Sequence, residues 1–233
     1  MLEISQFRYA ADNLGYVVHS GKQAVVIDGG ATKAILDYLK RNRLSLVEIL
    51  NTHSHGDHTA GNAVLARETA ARPVPMPEVA ARGSFQLEDS TVEVWLTPGH
   101  SRDSVCYSFE GKLVSGDTLF NGTVGNCFSG DFEGFFRSVK RLMALPGETL
   151  VFAGHDYVRS SLAFARRLEP GNPALDDYEK SYNPALVFST IDQELTVNPY
   201  FRYDEAPIVS LVEAKGYPTR TEYERWYGLM QIE

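Results

Sequence analysis

The sequence predicts an α/β sandwich core followed by a small, mostly helical C-terminal extension. Three observations support this. Strand-like and helix-like stretches alternate over the first two-thirds of the chain. After Glu169-Pro170-Gly171-Asn172-Pro173 the pattern changes to short helical segments broken by prolines. Five of the six histidines, finally, fall in short segments that follow apolar, strand-like runs, as groups displayed from one rim of a sheet would.

The elements are predicted in order. Gly15 to Ser20 and Gln23 to Asp28 read as a hairpin turning near Gly21-Lys22. Thr32 to Asn42 places Ile35, Leu36 and Leu39 at helical spacing, and Leu46 to Leu50 is again a strand. Gly61 to Ala70 reads as a helix stopped by Pro73. Strands are expected at Ser84–Leu87, Val92–Leu96, Ser104–Phe109 and Lys112–Ser115. Asp131 to Ala144 is amphipathic: Phe132, Phe135, Phe136, Val139, Leu142 and Met143 share a face, Asp131 can cap the start, and Pro146-Gly147 ends it. A strand at Thr149–Ala153 and a helix at Tyr157–Leu168 follow. Ile208–Ala214 and Thr221–Met230 are the clearest helical segments of the extension.

A length of 233 residues suffices for one full-sized core, alone or with an appendage. The composition, 43% hydrophobic and 22% charged, is that of a soluble globular protein. A formal charge of −8 argues against nucleic-acid or anionic-membrane binding through bulk electrostatics. No apolar run reaches the roughly 18–20 residues of a membrane span, and the N-terminus does not read as a signal peptide. Two cysteines, Cys106 and Cys127, make no disulfide framework and no metal-type spacing. The expected location is the cytoplasm; the oligomeric state is open.

The histidine segments carry the chemistry. Thr52-His53-Ser54-His55-Gly56-Asp57-His58 follows Leu46–Leu50, Pro98-Gly99-His100 follows Val92–Leu96, Gly116-Asp117 follows Lys112–Val114, and Gly154-His155 follows Leu150–Phe152. In an extended segment His53 and His55 project to one side, and Gly56 lets the chain turn so that Asp57 and His58 aim elsewhere. A lone histidine is usually a satisfied polar residue, and His19, mid-hairpin with no acidic neighbour, is read that way. The set is different. Imidazoles and carboxylates are ligands for zinc, iron and manganese. A single catalytic zinc needs three protein ligands, so seven candidates point to two metals about 3.5–4 Å apart sharing Asp117.

Thr-His-x-His-x-Asp-His, with Pro-Gly-His, Gly-Asp-Thr-Leu-Phe and Gly-His-Asp-Tyr, resembles the metallo-β-lactamase superfamily. Gly154–Tyr157 continuing to Leu162–Ala165 and Glu169–Asn172, together with Asn198-Pro199-Tyr200-Phe201-Arg202, resembles glyoxalase II, the hydroxyacylglutathione hydrolases. The resemblance implies a four-layer αββα sandwich over residues 1–165 and a substrate-binding helical extension over 166–233. It implies that His53, His55 and His100 hold one metal, that Asp57, His58 and His155 hold the other, and that Asp117 bridges them. Asp117 and Asp57 are then the catalytic carboxylates, Asp57 as a ligand rather than a general base. The implied cofactors are two divalent ions, zinc first, with iron or manganese accepted by the same ligands. The implied reaction is hydrolysis of a 2-hydroxyacyl thioester of glutathione by a hydroxide bridging the metals, releasing a thiolate that leaves without acid help.

On the substrate side the resemblance points to Tyr157, Asn126, Phe128 and Arg202. Here the chain departs from the family. Gly125-Asn126-Cys127-Phe128-Ser129-Gly130 stands where a lysine or arginine, two aromatics and a glutamate are usual, so Asn126 replaces a cation and Phe128 a tyrosine. Asp204 and Glu205 follow Arg202 where further basic residues are expected. Each lost charge-assisted bond costs about 1.5–3 kcal/mol, which makes a different thiol carrier an alternative. A mononuclear-iron persulfide dioxygenase on the same fold is the alternative from another class. A binding protein that has lost catalysis is opposed by the intact ligand set. Asp28, in a turn after a strand, is a candidate to support the metal loop. Cys127 is read as inert, and Lys140-Arg141 and Arg166-Arg167 as solvated charge.

Overall fold

The computed structural model describes residues 1–232. The chain opens with β1 (Glu3–Tyr9), β2 (Asn13–Ser20) and β3 (Gln23–Ile27), antiparallel in succession. Helix α1 (Thr32–Asn42) returns the chain so that β4 (Ser45–Leu50) runs parallel to β3. Helices α2 (Gly56–Thr59) and α3 (Asn62–Thr69) lead to β5 (Arg72–Pro73), which closes this five-stranded sheet beside β4. After α4 (Met76–Arg82), an antiparallel meander of β6 (Ser84–Leu87), β7 (Ser90–Leu96), β8 (Val105–Phe109) and β9 (Lys112–Gly116) begins the second sheet. A small ribbon follows, β10 (Leu119–Phe120) with β11 (Thr123–Val124). Helix α5 (Phe132–Met143) precedes β12 (Leu150–Ala153), parallel to β9. The chain ends through α6 (Val158–Leu168), α7 (Ala174–Ser181), the edge strand β13 (Ser189–Thr190), α8 (Ile191–Val197), α9 (Ala206–Ala214) and α10 (Glu222–Met230).

Alternation along the strands creates four layers. In β2 and β3, Tyr16, Val18, Val25 and Ile27 face the second sheet and pack with Val94, Tyr107, Val114 and Phe152. The intervening Val17, Ala24 and Val26 point outward onto Ile35 and Leu39 of α1 and Leu65 of α3. In the second sheet Leu113 and Val151 turn outward onto Phe135, Val139 and Leu142 of α5. Both faces of both sheets are thus covered, and the expected αββα sandwich is the observed one. Asp131 caps α5, its carboxylate accepting from Gly134 N at 2.8 Å.

Three details differ from the sequence reading. The helix expected over Gly61–Ala70 is observed as Asn62–Thr69, but its stop is Ala70 rather than Pro73: Ala70 enters the left-handed region (φ 60°) and its N–H closes on Ala66 O. Residue 165, the expected domain boundary, lies inside α6. Ile208, Val212, Trp226 and Leu229 of the last two helices share a core with α5, so the extension has no separate interior. Strand β1 and helices α4, α7 and α8 had no clear sequence signal; β1 is a half-exposed edge strand without strong alternation.

Candidate metal centre

Strands β7, β9 and β12 run in one direction, so their C-terminal ends share a rim. His100, Asp117 and His155 leave from that rim. Strand β4 delivers the histidine-rich loop from the other sheet, tied across by Val105 N donating to Thr52 O at 2.8 Å. The loop bends at Thr52 and His53, is extended at His55, then enters α2, which carries Asp57 and His58. Close packing at the rim demands glycine: a Cβ on Gly154 would lie 2.1 Å from Asp117 Oδ1 and 2.9 Å from His58 Cε1.

All seven expected ligands converge, in two groups. His55 Nδ1 lies 2.9 Å from His53 Nε2 and 3.0 Å from His100 Nε2. His58 Nε2 lies 3.2 Å from His155 Nε2, with Asp57 Oδ2 at 3.5 and 3.4 Å from the two. Asp117 sits between the groups. Its Oδ2 is 3.5 Å from both His100 Nε2 and His155 Nε2, and its Oδ1 is 3.4 Å from His58 Nε2. The five side chains other than Asp57 and His55 are buried, whereas Asp57 keeps a side-chain exposure of 46%, which opens the site to solvent there.

The donor set fits a divalent cation in each group. Three imidazole nitrogens facing one point can share protons in only some of their contacts, whereas a cation at that point accepts all three lone pairs. Asp117 Oδ1 is buried and makes no hydrogen bond, an orphaned oxygen that a bound cation would satisfy.

The remote nitrogens of four histidines are each tied down, which fixes the tautomer that presents the inner lone pair. His58 Nδ1 donates to Asp28 Oδ2 at 2.9 Å, and His155 Nδ1 to Asp12 Oδ1 at 2.8 Å. His100 Nδ1 donates to the Asn126 carbonyl at 3.1 Å. His53 Nδ1 donates to Thr52 Oγ1 at 3.0 Å, whose hydroxyl passes on to Asp28 Oδ2 at 2.7 Å. Asp28 also accepts from Thr52 N at 2.9 Å and adopts a φ of 54°, which turns its carboxylate under the loop. Asn13 Nδ2 donates to Asp57 Oδ2 at 2.9 Å.

The electrostatics follow. Burial pushes His53 down to about 4, with His58 adding to the effect, and burial also lowers His100. Burial acts the same way on His58, but Asp28 and Asp117 override it and raise that imidazole to about 11. His155 is raised by Asp117 and Asp12 against its burial. Burial alone would raise Asp117, yet His155 and His58 hold it far below the usual carboxylate range.

The expected substrate residues separate. Tyr157 stacks on the His155 ring (centroids 5.0 Å, planes 7° apart), and Phe128, 67% exposed, stands edge-on to His55 and His100. Asn126 turns its carbonyl to His100 and lines a small cavity with Tyr157. Arg202 is placed otherwise. Its guanidinium is bound bidentately by Glu169 at 2.7 and 2.8 Å and lines a separate groove, so it presents no free cation to the metal centre. Asp204 is occupied by Arg225. His19 lies outside the centre, bonded to Tyr38 OH at 3.0 Å. Asp12 and Asn13 carried no sequence signal, because their role depends on the bridge that pairs Asn13 with His155.

Residues 12–88 and 72–155 match the family described as the metallo-beta-lactamase superfamily, and residues 156–224 match the hydroxyacylglutathione hydrolase C-terminus. A hydroxyacylglutathione hydrolase of Pseudoalteromonas translucida is 33% identical, over 97% of this chain and 95% of its own length. One from Chromohalobacter salexigens is 35% identical over 83% of each. Among solved structures, ETHE1 from Myxococcus xanthus superposes with a TM-score of 0.68 at 23% identity, covering 97% of this chain and 99% of its own. The BLEG-1 B3 metallo-beta-lactamase does so with a TM-score of 0.63 at 25% identity, covering 85% and 99%.

Proposed function

We propose that this chain, which belongs to the hydroxyacylglutathione hydrolase family of the metallo-β-lactamase superfamily, hydrolyses thioesters of a glutathione-type thiol at the histidine-rich centre. The observation that carries the proposal is Asp117, lying between two converging groups of three ligands each. In this reading His53, His55 and His100 hold one divalent ion, Asp57, His58 and His155 hold a second, and Asp117 serves both. Zinc is the ion we assign; iron and manganese take the same ligands. When bound, the pair supplies Lewis acidity toward a carbonyl oxygen and ionises water near neutral pH.

The chain's own residues do the rest. Asp28, Thr52, Asp12 and the Asn126 carbonyl keep the inner nitrogens aimed, so little reorganisation is needed when the substrate arrives. Asn13 holds Asp57 in place at the open side. Phe128 and Tyr157 flank the approach with aromatic faces against which a carrier's apolar atoms can lie. The departing thiolate, from a thiol of pKa about 8.5, requires no acid group.

The intact second group supports the dinuclear hydrolase over a mononuclear oxygenase, which would leave Asp57, His58 and His155 converging on nothing. No helix among the described residues is long and apolar enough to cross a membrane. We assign the cytoplasm as the location and a small-molecule thioester, not a nucleic acid, as the partner. The test is turnover of S-lactoylglutathione by metal-loaded protein, lost on chelation and restored by metal. Oxygen uptake with glutathione persulfide and no thioester turnover would replace this function with the oxygenase.

A further inference from the structure

We infer that Arg159 forms a subsite for a carboxylate of the thiol carrier, in a groove walled by Tyr157, the residue stacked on His155. The inference rests on the thioesterase reading and specifies which end of the substrate the chain recognises.

Tyr157, stacked on His155, walls two depressions. One, of about 150 Å³, is uncharged and includes Phe120, Thr123 and Asn126. The other, of about 520 Å³, holds Arg8, Asp12, Asp156, Arg159 and Tyr182. Its charges are mostly spoken for. Arg8 pairs with Asp156 at 2.5 Å, and Tyr182 OH donates to the same carboxylate at 2.7 Å. Asp12 accepts from His155 at 2.8 Å. Arg159 remains. It is exposed, two residues beyond Tyr157, and among the described residues it makes no hydrogen bond or ion pair; its one contact is its guanidinium carbon 5.9 Å from the Tyr182 ring centre.

Among the groove's charged side chains Arg159 alone has no hydrogen-bond or ion-pair partner, and the planar fork of its guanidinium suits a carboxylate in two parallel hydrogen bonds. The ring of Tyr182 restrains the side chain without occupying its N–H groups. The other cation expected to serve this purpose, Arg202, is held by Glu169, and Asn126 is neutral. A carrier whose sulfur lies at the metal centre can run over Tyr157 and place its carboxylate on Arg159.

The experiment compares S-lactoylglutathione with the same thioester whose carboxyl groups are methyl-esterified. Wild type is expected to prefer the free acid, with the preference shrinking as salt rises, because Arg159 is exposed. Arg159→Ala should raise KM for the free acid about tenfold with kcat within twofold. The preference should then vanish, and Arg159→Lys should keep part of it. Lys33→Ala, on the far helix α1, should leave the preference as in wild type. An Arg159→Ala variant that keeps the preference overturns the subsite alone, as does a wild type that hydrolyses both thioesters equally. Hydrolysis of neither overturns the thioesterase reading together with the subsite.

Discussion

Asp28 Oδ2 lies 2.9 Å from His58 Nδ1, and both side chains are fully buried. The same carboxylate accepts the Thr52 hydroxyl that receives His53 Nδ1, so one buried anion orients a histidine of each converging group. Asp28→Asn preserves the shape and the tolerance for positive φ but removes the charge. It should weaken metal binding 10- to 100-fold in a chelator competition, with no ligand altered. Unchanged affinity would reduce Asp28 to a packing residue.

The metal-free protein should lose stability as pH rises. His58 is raised to about 11 in the folded state by Asp28 and Asp117, against an ordinary value of 6.5. Its ion pairs are fully present below pH 6.5 and are lost progressively as pH climbs toward 11, because the folded state binds the proton that the unfolded state has released. Thermal melts in excess chelator should show the melting temperature falling between pH 7 and 10. With metal bound, His58 holds a cation instead of a proton and the fall should be much shallower. Metal binding at pH 7 should accordingly release a proton, which calorimetry in buffers of different ionisation enthalpy would detect.

Gly154 leaves room for two of the converging side chains, Asp117 and His58. A methyl group there meets Asp117 Oδ1 at 2.1 Å and His58 Cε1 at 2.9 Å, so one or both must move. Gly154→Ala should cut kcat at least 100-fold while circular dichroism stays native, since misplacing reacting groups by about 1 Å carries a cost of that order. Activity within threefold of wild type would show that the rim can yield.

Arg202 and Glu169 form a bidentate pair with side-chain exposures of 18% and 7%. Removing the cation strands a buried carboxylate, so Arg202→Ala should destabilise the fold by about 3 kcal/mol in urea titration. KM for the thioester should stay as it is. A raised KM with unaltered stability would return Arg202 to the substrate site.

The seven residues that converge at the centre were legible in the sequence because each stands in a segment that follows a strand, and both strand patterning and residue spacing are local properties. The sandwich core was legible in the alternation of elements, and its four layers were what the family resemblance implied; they are observed as Tyr16 and Val17, or Leu113 and Val114, adjacent residues buried on opposite faces. What stayed hidden depends on contacts far apart in the chain. Asp12 reaches His155 across 143 positions, and Glu169 claims Arg202 across 33. A motif can mark Arg202 as basic, but it cannot show that an acidic residue has already taken it. Helix α8 was missed because its seven residues are too few for a clear period, although the capping box of Thr190 and Gln193 marks its start.

The central claim, two cations sharing Asp117, is tested most directly by counting bound metal per chain by elemental mass spectrometry after anaerobic purification. Wild type is predicted to hold two divalent ions, and His155→Ala one, with the histidine group of His53, His55 and His100 still filled. A wild-type count of one, or a His155→Ala count equal to wild type, would contradict the dinuclear account.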